Sequence, residues 1–340
     1  MPSTRTAERV ATLATVFYFV LLTYLVGTRP ESAGRDTDNY IAFFHHILEG
    51  NTGTRYEIGF RIFTASVAAF SNSEGIYLAT IYAIVTLSIF GAQYLYARIL
   101  DQRGRYLYFP LILSILLSSS WYIVATTNGL RQGISLSVLY IAVMLILVYR
   151  RTAYFVAISG FAALFHITAI LPIPFIILFR FIPYKLSFCI FFMTAVAYAL
   201  GIWRQLFYYL HIFLNINIYD SVINYADGAD MWYGFQLDLF AYTLFWPIFY
   251  IIITPFIRKR YLKLFVRMLV AYMALCMPYF IFGFGPFSNR YAIIAWLFLP
   301  LLHCGFIVSS KFRIDVKWCL LIAFAFAGSY KYLSYIEVIG

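Results

Sequence analysis

Charge is what this chain has least of: of 340 residues only 11% are Asp, Glu, Lys or Arg, while 63% are hydrophobic. Soluble domains carry roughly a quarter of their residues as charges, so a water-soluble globular fold is excluded. Cysteine is scarce too. The four present, Cys189, Cys276, Cys304 and Cys319, all fall in apolar segments without the paired spacing of a metal site. Neither a disulfide framework nor a zinc centre is therefore expected. Nucleotide-binding glycine loops, paired metal-binding acids, internal repeats, low-complexity tracts and soluble linkers are absent as well. Their absence predicts one integral membrane domain over 1–340 that uses no cofactor and no metal.

The 25 basic residues outnumber the 14 acidic ones and leave a net charge of +11. Few of them form a long exposed run, which argues against nucleic acid as a partner. Membrane insertion instead concentrates Lys and Arg in cytoplasmic turns. The basic balance therefore reads as topology, with the lipid bilayer as the surroundings.

Apolar runs of about 17 to 25 residues cross a bilayer as helices, because hydrocarbon offers no partner to a free backbone polar group. Candidate spans are 10–27, 76–96, 106–125, 133–148, 153–165, 167–178, 186–201, 239–257, 264–282, 291–309 and 318–335. The first is too long for a signal-peptide core and lacks a clear cleavage site, so it is expected to be retained. The stretch 153–181 is read as a hairpin with His166 near its outer apex, since basic residues flank it at both ends and belong on the same side. The run 57–70 is apolar but only about 14 residues long and carries Glu57 and Arg61, which predicts an outer interfacial or re-entrant helix. The expected architecture is all-α and polytopic, with about eleven transmembrane helices plus that outer helix. The N-terminus then lies inside, and two long loops, 28–74 and 204–238, lie outside. Arg5/Arg9, Arg98 to Arg105, Arg150/Arg151, Arg180/Lys185, Arg258 to Arg267 and Lys311 to Lys317 face the cytoplasm in this arrangement, and most acids face out.

Several chemistry-bearing groups gather on that outer face. The first loop holds Asp36, Asp38 and Tyr40, then Glu57. Asp38 or Thr37 could serve simply as a helix cap, but capping alone does not use Asp36 and Glu57. The next outer turn is Thr126-Thr127-Asn128-Gly129-Leu130-Arg131-Gln132. Arg131 sits in a first helical turn, where the dipole disfavours a cation, so an anionic partner is expected. Snorkelling to lipid headgroups is the plain alternative, and a phosphate clamp the functional one. His166 is read either as a hydrogen-bonded core residue or as a functional intramembrane group. Ser288-Asn289-Arg290-Tyr291 supplies a second outer cation behind a glycine-rich turn, and Arg204 a weaker third. The second loop interleaves Asp220, Tyr225, Asp227, Asp230, Trp232 and Tyr233, a composition that suits sugar binding and equally describes an aromatic belt.

The ordered set Gly34-x-Asp36-x-x-x-Tyr40, Glu57-x-Gly59-Phe60, Asn128-x-x-Arg131-Gln132, Phe165-His166-x-Thr168-Ala169 and Asn289-Arg290-Tyr291 resembles the EpsG-type branch of the Wzy-like polysaccharide polymerases. Ile58 stands where the pattern has a proline after the glutamate. The resemblance implies a GT-C-like helical architecture and a glycosyltransferase that polymerises O-antigen, capsule or exopolysaccharide on the periplasmic face of the bacterial cytoplasmic membrane. Its donor and acceptor would be oligosaccharides linked to polyprenyl (undecaprenyl) diphosphate, and a chain-length regulator is a further partner it allows. Expected roles follow from that chemistry. Arg131 and Arg290 bind the diphosphate. Asp36, Glu57 and His166 are unranked candidates for the catalytic base. Tyr40, Asn128, Gln132, Asp227, Trp232 and Tyr291 contact substrate. A membrane O-acyltransferase acting on surface glycan and a lipid-linked oligosaccharide flippase are the competing readings. The first would need an acyl donor route, and the second polar residues at the bilayer midplane rather than at helix ends.

Overall fold

A computed structural model describes residues 4–51, 56–100, 108–223 and 234–339, and all its regular elements among these residues are helical. Two compact units emerge, one formed by Met1–Ile170 with Pro300–Gly340 and the other by Leu171–Leu299.

Unit 1 begins with α1 (Thr4–Gly27), α2 (Thr37–Leu48), α3 (Ile58–Phe70) and α4 (Glu74–Ala97). It continues with α5 (Tyr108–Ser118), α6 (Ser120–Thr127), α7 (Leu130–Leu147), α8 (Thr152–Ala163) and a 3₁₀ turn at Ile167–Ile170. Unit 2 holds α9 (Ile173–Phe181), α10 (Tyr184–Ala199), α11 (Ile202–Leu214), α12 (Ile218–Ile223), α13 (Leu237–Ile253), α14 (Lys259–Phe282) and α15 (Asn289–Trp296). The chain then runs through α16 (Leu299–Ser309) to α17 (Ile314–Tyr335).

The protein is a multi-pass membrane protein. Among the described residues six helices are long and apolar enough to cross a bilayer, or up to eight if each of two bent pairs is one span. That range compares with the expectation of about eleven. The difference has local causes. The run 106–125 is broken by an 82° bend between α5 and α6. Ser119 sits at the break as N-cap of α6, its side chain accepting from the Tyr122 amide at 3.4 Å. A serine run inside an apolar segment offers the backbone such alternatives to a continuous helix. The hairpin region yields α8, of 12 residues, and α9, of 9, both shorter than a span, with Pro172 and Pro174 at the start of the second. As length alone predicted, α3 is a short apolar helix of 13 residues.

The loop expected over 204–238 is a loop only in part. Gly201, at φ +71°, ends α10 and turns the chain by 74° into α11, and α12 follows. Phe207, Val222, Ile281 and Phe284 form a buried cluster that fixes these two helices to the end of α14.

In unit 1, α4 packs between α1 and α7, α7 packs on α8, and α5 lies along α17. Close approaches fall at glycines. A Cβ on Gly27 would lie 2.6 Å from the Gly75 carbonyl oxygen, and one on Gly133 only 2.1 Å from that of Ala125. Such spacing admits no side chain larger than hydrogen. These contacts bring the C-termini of α1 and α6 and the N-termini of α4 and α7 to one end of the unit. Arg98, Arg150 and Arg151 follow the opposite ends of α4 and α7, where the Tyr149 hydroxyl donates to the Leu95 carbonyl at 2.7 Å. The charge asymmetry read from the sequence is thus a separation between the two ends of these helices.

Candidate functional site

The site is assembled at the α6–α7 turn of unit 1. Gly133 lets α7 cross α6 at backbone contact, and this fixes the direction in which Arg131 leaves the first turn of α7. The first loop then lies on the same turn. Gly34 has φ +119°, and a Cβ there would come within 2.8 Å of Asn128 Oδ1 and 3.0 Å of the Thr127 carbonyl. Beside it the Thr37 hydroxyl, fully buried, points at the carbonyls of Ala33 (3.2 Å) and Thr127 (3.3 Å).

Asp36 occupies the N-cap position of α2 but makes no side-chain capping bond, and both it and Asp38 are exposed. One turn on, Tyr40 is buried, stacked on Tyr56 at 5.9 Å and edge-on to Phe60 at 5.7 Å. Burial raises the Tyr40 phenol above its ordinary value, opposed by the charge and hydrogen bond of Arg131. The phenol therefore stays neutral and presents its oxygen to the guanidinium.

Glu57 stands at the N-cap position of α3, in extended conformation (φ −62°, ψ 150°), without capping its helix. Its carboxylate pairs instead with Arg131 Nη1. Both side chains are about three-quarters buried, with 25% of Glu57 and 23% of Arg131 exposed. The guanidinium also lies over the Tyr56 ring, 4.5 Å from its centroid, and its Nε is buried without a hydrogen bond. The anionic partner expected for a cation in a first helical turn is thus Glu57. This pairing replaces plain snorkelling as the account of Arg131.

Glu57 is held by its neighbour Gly59, whose amide donates to the Leu164 carbonyl at 2.8 Å and whose Cβ position lies 2.7 Å from that oxygen. The second motif is thereby docked on the fourth. Just beyond, His166 Nδ1 meets the Thr168 hydroxyl at 2.8 Å and the Thr168 amide at 3.3 Å. An amide can only donate, so Nδ1 is the acceptor and the neutral ring carries its proton on Nε2. Gln132 Nε2 donates to the same Thr168 hydroxyl at 3.3 Å, and Ser135 donates to the carbonyls of Ala162 and His166. Because Gln132 follows Arg131, the histidine network and the ion pair meet at the first turn of α7.

Arg29 belongs to the same end of the unit and was not singled out by sequence. It is only 6% exposed, and its Nη1 donates to Val26 (3.3 Å) and Thr126 (3.4 Å), carbonyls in the last turns of α1 and α6. Helix C-termini carry partial negative charge, which suits a cation buried away from carboxylates. Burial lowers the Arg29 guanidinium from its ordinary value, opposed by the hydroxyls of Tyr332 and Tyr335. The only signal in the sequence was a lone arginine between the first span and Pro30. The second helix end that completes its surroundings is 97 residues away. Asn128 is tied to the same corner, donating to the Tyr335 hydroxyl at 2.8 Å.

Unit 2 carries the remaining candidates. Arg290 is exposed in the first turn of α15, its guanidinium 4.4 Å from the centroid of Phe287, and Tyr291 packs on Phe282 at 6.0 Å. The loop before them is fixed by Gly285, whose Cβ position lies 2.5 Å from Val222 Cγ1 of α12. His211 Nε2 of α11 is 3.4 Å from Asp220 Oδ2 of α12. Arg204 is exposed on α11. Asp227 and Trp232, with Tyr225, Asp230 and Tyr233, lie outside the described residues. Among the described residues, no group of three or more His, Cys, Asp and Glu is placed to hold a metal ion.

Arg131 therefore meets both Glu57 and Tyr40, His166 and Gln132 share Thr168, and Asn128 lies under Gly34. Asp36 lies one turn before Tyr40. No curated protein and no solved structure matches the chain. The family model described as EpsG matches residues 12–340, a range that contains every motif of this site, and the chain belongs to the EpsG family.

Proposed function

We propose that this protein is a polysaccharide polymerase of the glycosyltransferase type, joining repeat units carried on polyprenyl diphosphate. The EpsG match supports a polymerase-like role in polysaccharide biosynthesis. The observation that carries the finer reading is the cluster of Arg131, Glu57 and Tyr40, drawn from three separate motifs into one partly buried contact.

Transfer forms a bond from an acceptor sugar hydroxyl to the donor's anomeric carbon and breaks the bond from that carbon to the diphosphate oxygen. Negative charge grows on the leaving polyprenyl diphosphate. A fixed guanidinium meets that charge without reorganising, and removing one such group typically costs about a hundredfold to a thousandfold in rate. Arg131 has this role. The acceptor proton needs a base, worth about a hundredfold to ten-thousandfold. Of the three candidates, His166 has Nδ1 occupied as an acceptor and Nε2 protonated, and Asp36 is exposed beside Tyr40. Glu57, already within the cluster, is the base this arrangement favours. His166 then orients Thr168 and Gln132, or donates from Nε2 to a substrate oxygen.

The helix-end location of these groups suits chemistry at a membrane surface, and the positive-inside bias supports a surface outside the cytoplasm. The setting is the bacterial cytoplasmic membrane, with the site open to the periplasmic or outer face. The product is O-antigen, capsule or exopolysaccharide.

The test is deletion of the gene followed by gel analysis of surface polysaccharide, then complementation. Loss should leave single repeat units in place of ladders. Arg131→Ala at normal protein level should reproduce that loss. Unchanged ladders with Arg131→Ala would remove it from the site, and unchanged ladders on deletion would overturn the assignment.

A further inference from the structure

The Arg131 guanidinium is closed on several sides. Tyr56 covers a face, Tyr40 is hydrogen bonded to it, Nε is buried, and Nη1 is taken by Glu57. A phosphate oxygen reaches the Nη1 edge only where the carboxylate now lies. Glu57, in turn, has a second place to go. It sits at the N-cap of α3 in the extended conformation that capping residues adopt, yet makes no capping bond. The second amide of α3, that of Gly59, is used by the Leu164 carbonyl. The third, that of Phe60, is the donor an N-cap carboxylate ordinarily engages.

Resting on the polymerase reading, we propose that Glu57 is a placeholder for the donor's diphosphate: the diphosphate displaces it from Arg131, and the freed carboxylate turns to the N-terminus of α3 to receive the acceptor proton. Phosphate competes well for this position, since a guanidinium matches two of its oxygens at once and a diphosphate carries more charge than one carboxylate. While it pairs with Arg131 the carboxylate oxygen is occupied, and displacement leaves that oxygen open to the hydroxyl proton. The base is therefore switched on by the donor, and the donor binds before the acceptor hydroxyl is engaged. The ion pair keeps the site closed to transfer until a lipid-linked donor has arrived.

The exchange makes an unusual prediction for a substitution inside a site. Removing the competing charge in Glu57→Gln should tighten binding of undecaprenyl diphosphate to the purified full chain by about tenfold, the equivalent of 1.4 kcal/mol, while transfer falls at least about a hundredfold. Glu57→Asp is the second variant. Aspartate caps helices well but is a methylene shorter, so it should stay in the released position, bind as tightly as Glu57→Gln and keep part of the transfer activity. Arg131→Ala should lose binding. If both Glu57 variants bind undecaprenyl diphosphate no better than the wild type while Arg131→Ala still loses it, the exchange is wrong and the polymerase reading survives. If the wild type and both Glu57 variants show no binding of undecaprenyl diphosphate, both fall together.

Discussion

In unit 1 the groups assigned to chemistry reach one another because backbones interlock beneath them. Gly34 rests on Asn128, Gly133 on the Ala125 carbonyl and Gly59 on that of Leu164. In unit 2 the corresponding loop is equally fixed, with Gly285 against Val222, but the arginines Arg204 and Arg290 stay at the surface while His211 and Asp220 are half-buried. Arg290 lies over Phe287, Arg204 is exposed, and His211 meets Asp220 at 3.4 Å. The comparison teaches that a polar cluster at a helix end needs a rigid floor and also a partner of opposite charge from another motif. Unit 1 has both. Among its described residues, unit 2 has the floor, and its arginines Arg204 and Arg290 remain exposed.

The sharpest way to break this comparison is to disturb the floors. Gly59→Ala places a methyl carbon 2.7 Å from the Leu164 carbonyl oxygen, which belongs to backbone and cannot step aside. Overpacking of this kind costs about 1–3 kcal/mol, and here it also pushes Glu57 away from Arg131. Polymer ladders should be lost. Gly201→Ala in unit 2 meets nothing within 4 Å and is strained only by its left-handed φ of +71°. A single residue in that region costs about 1 kcal/mol, so the protein should melt a few degrees lower and keep its ladders. Equal losses of activity from the two substitutions would mean that the interlock at Gly59 has no special bearing on the site.

A second comparison, of Arg290 with Arg204, asks whether unit 2 takes part at all. Both are exposed arginines of the same unit, and only Arg290 belongs to the ordered motif set. If it binds phosphate, Arg290→Ala should lower chain elongation by about a hundredfold, as loss of a transition-state donor does. Arg204→Ala should leave ladder length and intensity unchanged. Unchanged ladders in both variants would confine the chemistry to unit 1.

These contrasts also mark what was legible in the sequence. Composition identified the membrane protein, and helix-end arginines pointed to the end of unit 1 where Arg131 meets Glu57. A cation in the first turn of α7 called for an anionic partner, and Glu57 supplies it 74 residues away. Three features were hidden. Breaks at Ser119 and Gly201 do not lower hydropathy enough to be seen in an apolar count, so 106–125 looked like one span. The second loop read as irregular because its apolar run, 206–214, is too short to span a bilayer, yet Phe207 and Val222 give α11 and α12 a shared buried edge. Arg29 was invisible because its compensation comes from two helix ends, which carry no charged letter in the sequence.

The smallest expected effect concerns Ile58, which stands where the motif resemblance calls for a proline. It is the first residue of α3 and is 57% exposed. The amide of a first helical residue has no partner within the helix, so a proline there removes nothing the helix uses, and its fixed φ suits the position. The residue before a proline is pushed out of the helical region towards extended conformation, and Glu57 is already there at φ −62° and ψ 150°. Ile58→Pro should therefore fold normally, stabilise the chain by about 0.4–1 kcal/mol through the unfolded state, and leave ladder length unchanged. Glu57 would also be held more firmly in the backbone conformation from which it serves both Arg131 and α3. A clear loss of stability or of ladders in Ile58→Pro would show that the first turn of α3 is built differently, and with it the placement of Glu57.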